Sequence, residues 1–206
     1  MIRALRYNLP VKDEEFDKIY PLEIQAKSQK HWTPINVAKK AAEFLVTKPN
    51  IKILDIGSGV GKFCIVGAQT SSGVFYGVEQ RKDLVDLSQK IIEEYNISNI
   101  NIIHANITSI DFSKFDAFYF FNSFYENIEV DCKIDDRIKL SIQKYVQYKN
   151  YLQTQFSKMP LGTRIATYSG FDTEIPSCFT LIKAENNFSL KYWLKDKEET
   201  TIPIHL

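Results

Sequence analysis

The chain has 206 residues, 44% of them apolar, enough to bury the core of one α/β domain. Its 26 basic and 25 acidic residues leave a net charge of +1, which excludes a global field drawing the protein to nucleic acid or membrane and leaves only a local basic groove open. The three cysteines, Cys64, Cys132 and Cys178, are odd in number and widely spaced, so neither a disulfide framework nor a zinc site is expected, and a reducing compartment is.

The opening MIRALRYNLPVKDEEF carries charge throughout and has no long apolar run, so a signal peptide and a membrane span are not expected and a cytoplasmic location is the default. From Asp13 the spacing of Phe16, Ile19 and Tyr20 predicts a helix that Pro21 interrupts, and a second short helical run follows from Leu22 to about Lys30. These read as a cap packed on a sheet. In His31-Trp32-Thr33-Pro34, Thr33 suits a helix cap and Pro34 a first turn, while Ile35, Ala38, Ala42 and Leu45 mark the buried stripe of the helix that follows. Trp32 reads as a wall or core residue and His31 as a surface residue.

Ile51, Ile53 and Leu54 have the pattern of a strand buried in a parallel sheet, and the chain then breaks into Gly57, Gly59 and Gly61. A P-loop fails here, because Ile56 stands where its first glycine should be and Phe63 where its Ser or Thr should be; a dinucleotide fingerprint fails because Lys62 occupies its third glycine. What remains, Asp55-x-Gly57-x-Gly59-x-Gly61, resembles the first motif of class I S-adenosylmethionine-dependent methyltransferases. Val74–Val78 reads as the second strand, and Glu79 at its end is placed to accept from ribose hydroxyls. Leu84, Leu87, Ile91 and Ile92 then set a helix between Gln80 and Tyr95, and Ile100–His104 a third strand. Asn106, just after it, stands where the family more often has Asp against adenine.

The fourth strand, Phe115–Phe121, delivers Asn122-Ser123-Phe124-Tyr125-Glu126, where such enzymes place the group to be methylated. The segment lacks both prolines of the Asn-Pro-Pro-Tyr/Phe motif and is similar to the looser asparagine-plus-aromatic pattern of small protein-lysine and amine N-methyltransferases. An asparagine carbonyl can accept from an attacking amine and aim its lone pair, Tyr125 and Phe124 can wall the methyl channel, and Glu126 can draw in a cationic amine or take its proton. A long helix is expected over 131–158, with a solvated lysine-bearing surface, then a fifth strand, Thr163–Tyr168, and a hairpin pairing Cys178–Lys183 with Phe188–Leu194.

The resemblance implies an α/β, three-layer Rossmann-like fold. Its mostly parallel seven-stranded sheet, in order 3-2-1-4-5-7-6, would carry a C-terminal antiparallel hairpin and an N-terminal helical cap. The whole chain, 1–206, is expected to be one domain, with the cap at 1–48 and the core at 49–206. The implied cofactor is S-adenosyl-L-methionine, met by Thr33, Asp55, Gly57, Ser58, Gly59, Gly61, Glu79, Gln80, Asn106, Ile107 and Asn122, with Asn122, Tyr125 and Glu126 catalytic and no metal. Asp55 would hold the cofactor's ammonium, directly or through water. The implied partner is a protein or small-molecule amine; RNA is possible but less favoured, and the acceptor and oligomeric state stay open.

Overall fold

The computed structural model of the chain describes residues 1–198, so residues 199–206 of the expected core lie outside the described residues. Five helices lead in: α1 (Ile2–Arg6), α2 (Asp13–Phe16), α3 (Leu22–Gln25), α4 (Ser28–His31) and α5 (Ile35–Leu45). The core then runs β1 (Lys52–Ile56), α6 (Lys62–Thr70), β2 (Val74–Glu79), α7 (Lys82–Glu94), β3 (Ile100–His104), β4 (Ala117–Phe121), α8 (Ile142–Ser157), β5 (Arg164–Tyr168), β6 (Phe179–Glu185) and β7 (Leu190–Lys195).

The seven strands lie in the order β3-β2-β1-β4-β5-β7-β6, as the resemblance implied. β3, β2, β1, β4 and β5 are parallel, and β7 runs antiparallel between β5 and β6. The alternation of the pleat explains the three layers. Ile53, Phe75 and Tyr119 point into the core shared with α5, α6 and α7, while Leu54, Val78 and Phe118 point into the core under α8. Phe63 stacks on Tyr119 in the first, with ring centroids 3.8 Å apart; in the second, Phe118 packs on Phe112 and Phe156. Each such ring removed from water contributes roughly 1.5–3 kcal/mol. Because β1 pairs with β2 on one side and β4 on the other, a crevice opens beyond the carboxyl ends of the strands at that switch.

Four local expectations change. The helix from Asp13 tightens to a 3₁₀ turn at Asp17–Ile19, and the run from Leu22 splits into α3 and α4. Thr33 does not cap α5: its hydroxyl lies 3.0 Å from that of Tyr119, and the first free N–H of the helix, on Ile35, donates to the carboxylate of Asp13 at 3.0 Å. The helix expected over 131–158 begins only at Ile142, where Ser141 caps it by accepting from the Lys144 N–H at 3.2 Å. Before that, Asp135 accepts from the Arg137 N–H at 3.0 Å and from Arg81, holding residues 131–141 as a strap rather than a helix.

Candidate active site

The loop after β1 needs its glycines for both conformation and space. Gly57, Gly59 and Gly61 all have left-handed backbones, with φ of +71°, +54° and +73°. A Cβ on Gly57 would stand 2.5 Å from Ser123 Cβ, and one on Gly59 would stand 2.5 Å from the ring of Trp32. The backbone is thus pressed between the post-β4 loop and the cap. Lys62, which opens α6, is buried at 2% exposure and pairs with Asp13 and Asp17, each at 2.7 Å, with Ser28 at 3.4 Å. The lysine that spoils the dinucleotide fingerprint is therefore a latch fastening the cap to the glycine loop.

A cavity of about 380 Å³ lies beside this loop, between the strand ends and α4. Glu79 reaches it from the end of β2 and is 4% exposed. One carboxylate oxygen accepts from the Gly59 N–H at 3.1 Å and the other from the Arg81 N–H at 2.8 Å. Burial raises its pKa, and those two N–H groups and the Arg81 charge oppose the rise. A carboxylate has room for about four donors, so Glu79 keeps acceptor capacity toward the cavity. Farther along, the Asn106 amide donates to Tyr148 at 2.9 Å and to the Gln80 side chain at 3.3 Å, and its carbonyl caps the turn at Thr108. Gln80, Asn106 and Ile107 form this wall with the aromatic face of Phe124 and Tyr148.

At the other end, Asn122 follows β4 directly with φ of +43°, an unusual backbone for a residue with a side chain. Its carbonyl oxygen Oδ1 is buried and has no hydrogen-bond partner among the described residues. Tyr125, Tyr168 and Phe121 surround this end of the cavity. His31 lies on its wall, half-buried, and burial with the neighbouring charges of Lys30, Lys27 and Arg81 pushes its pKa down to about 4.

Of the residues singled out in the sequence, Gly57, Gly59, Glu79, Gln80, Asn106, Ile107, Asn122, Tyr125 and Glu126 line the cavity together. Thr33, Asp55, Ser58 and Gly61 sit behind that surface. Thr33 is turned to Tyr119, and Asp55 accepts from the Cys64 thiol at 3.5 Å, with burial pushing its pKa up to about 8. Asp55 so placed lies beneath the loop, 3% exposed and outside the cavity lining. Glu126 is not free either. Both its oxygens accept from Arg81, at 3.0 and 2.8 Å, and one of them also accepts from the Ile134 N–H at 3.3 Å, so the expected proton acceptor is occupied in holding a loop.

Sequence reasoning missed Arg81 and Lys62 as parts of this site. For Arg81 the available signal was its place two residues after the strand-end acid; for Lys62 it was the pair of acids Asp13 and Asp17, one helical turn apart.

A family model described as a methyltransferase domain matches residues 47–155. The 23S rRNA (uracil(1939)-C(5))-methyltransferase RlmD of Shewanella sediminis is 30% identical over 79 residues, a stretch that covers 38% of this chain and 17% of that protein. An RNA methyltransferase from Salinibacter ruber, solved with S-adenosyl-L-homocysteine, superposes with a TM-score of 0.58 at 16% identity, covering 82% of this chain and 96% of that one. TrmN from Thermus thermophilus superposes at 0.54 and 14% identity, covering 79% of this chain and 48% of that one. At these identities the two superpositions speak for the fold, and the chain spans less than half of the rRNA enzyme and of TrmN. The matched model covers the glycine loop, Glu79 and Asn122 alike, and the chain belongs to the methyltransferase domain family, in the class I Rossmann-like fold.

Proposed function

We propose that this S-adenosylmethionine-dependent methyltransferase domain transfers its methyl group to a nitrogen, most readily an amine, presented to Asn122. The observation that carries the reading is the buried, unpartnered Oδ1 of Asn122 at the cavity wall. A buried polar atom left without a partner costs about 1–3 kcal/mol, which a donor reached by rotation of the Asn122 side chain into the cavity would recover. An acceptor N–H bonded there would have its nitrogen held at the end of β4, and orientation of this kind is the main contribution the protein can make.

The residues present fit the cofactor. Gly57 and Gly59 line the cavity with backbone alone, Glu79 retains lone pairs for ribose hydroxyls, and Gln80, Ile107 and Tyr148 offer a partly apolar wall for adenine. When bound, S-adenosylmethionine supplies a methyl group on a sulfonium, already a good electrophile. The chain then has to align the nitrogen, exclude water and let a proton depart. His31, at about 4, is too weak a base to take that proton from an amine, and Glu126 is engaged with Arg81, so the proton leaves through the solvent-facing side of the cavity.

Asn122→Ala is expected to bind the cofactor as the wild type does and to lose transfer by about a hundredfold, the scale of one positioned hydrogen bond at the reacting centre. Wild-type turnover in that variant would remove Asn122 from the mechanism. A second reading, a base in RNA, is supported by the rRNA methyltransferase relative, whose own acceptor is the C5 carbon of a uracil, and by the RNA methyltransferase that shares the fold. Labelled methyl incorporation into a cell lysate separates the two: protease should remove the label from a protein acceptor, nuclease from RNA.

A further inference from the structure

We propose that Arg81 is a positioning residue for the transfer, fixing the loop that carries Asn122 against the strand end that carries Glu79. The inference rests on the cofactor reading above and names a residue that reading does not use. Arg81 is 4% exposed and sits between three carboxylates. Its Nη2 donates to both oxygens of Glu126, at 3.0 and 2.8 Å, and its Nε donates to Asp135 at 3.2 Å. Its own backbone N–H donates to Glu79 at 2.8 Å, and Nη1 stands 3.9 Å from the same carboxylate.

These bonds join two parts of the site that no strand pairing joins. Glu126 follows Asn122 by one helical turn's length of chain, and its carboxylate also accepts from the Ile134 N–H at 3.3 Å. One side chain therefore ties Glu126, in the turn after β4, to Asp135, in the strap, on this side of the cavity. The cap holds the same strap from the other side: Lys27 donates to the Ile134 carbonyl at 2.9 Å and Lys30 to that of Asp131. The planar fork presents separate nitrogens to Glu126 and Asp135, a spread that the single ammonium nitrogen of a lysine does not reproduce. Without the guanidinium, three acids face each other, and the acceptor loop loses the tie that sets its distance from Glu79.

The experiment uses the full chain as wild type, Arg81→Gln, Arg81→Lys and Glu126→Gln. Cofactor affinity is read by calorimetry, the maximal rate by labelled methyl transfer to lysate, and loop order by amide hydrogen exchange. Arg81→Gln is expected to lower the maximal rate by about tenfold or more while cofactor affinity changes by less than about threefold. Exchange should rise across residues 122–137 and stay at the wild-type level in the central strands. Glu126→Gln should reproduce that pattern, and Arg81→Lys should recover part of the rate and of the protection.

Wild-type rate and wild-type protection in Arg81→Gln would overturn the proposal. So would a uniform loss of protection through the sheet in Arg81→Gln, Arg81→Lys and Glu126→Gln alike, which marks a residue that only holds the fold. A wild-type protein that binds no cofactor would overturn the underlying reading instead; unchanged loop exchange in Arg81→Gln would then still refute the anchoring on its own.

Discussion

Asp55 stands where the motif calls for an acid, but the structure places it behind the cavity lining. Its place before the glycines is legible in the sequence, but its exposure is not, and burial beside Cys64 pushes its pKa up to about 8. An acid whose folded pKa is raised binds its proton more tightly folded than unfolded. Between its unfolded value near 3.9 and the folded one, the native state therefore loses stability as pH rises. Asp55→Asn, neutral at every pH, should gain in melting temperature relative to wild type on going from pH 5 to pH 8. A gap that stays constant or closes over that range would contradict the assignment. Gly59 is argued from space instead: in Gly59→Ala the new methyl would meet the ring of Trp32 at 2.5 Å on a left-handed backbone. Destabilisation of about 1–3 kcal/mol in chemical denaturation is expected, together with weaker cofactor binding; a neutral substitution would mean that the loop is not pressed against the cap.

At the level of elements, the latch between the cap and α6 makes the sharpest claim. Lys62 and Asp17 are nearly excluded from water, so removing Lys62 leaves Asp17 a buried charge held only by the Ser28 hydroxyl, whereas removing Asp17 leaves Lys62 paired with Asp13 alone. Lys62→Met is expected to cost about 3–5 kcal/mol in denaturant unfolding, and the double change with Asp17→Leu less than the sum of the two single changes. An additive double, or a cost below about 1 kcal/mol, would show the pair to be solvated. Elements with strong periodicity were readable: β1 to β5, α5 and α7 lie within a few residues of their expected bounds. The two ends of the strap were not, because Ile134 and Ile138 continue the apolar spacing of α8 while Asp135 is drawn out of the helix by Arg81, a partner 54 positions away. A partner 45 positions away hid Glu126's role in the same way: its carboxylate looks free until the chain brings Arg81 beside it. Thr33 followed local capping preference and lost to Asp13, again a residue from another element.

For the whole molecule, the parallel part of the sheet was legible from alternating strands and helices and the antiparallel end from two alternating runs, while the strand order came with the family resemblance. The sheet then does what the motifs require, bringing Gly57, Glu79, Asn106 and Asn122 to one cavity from four separate strand ends. What the sequence could not show is the cover: α4 and the strap meet over that cavity through side-chain-to-carbonyl bonds with no local pattern. Among the described residues no helix is long and apolar enough to cross a membrane. The central claim is that Glu79 and the glycine loop grip one adenosyl group, and calorimetric titration of S-adenosylmethionine into wild type and Glu79→Ala tests it most directly. Wild type should bind with a dissociation constant in the micromolar range, about −8 kcal/mol at 1 μM, and Glu79→Ala at least about tenfold more weakly. No binding by folded wild type, or equal affinity in the two proteins, would contradict it.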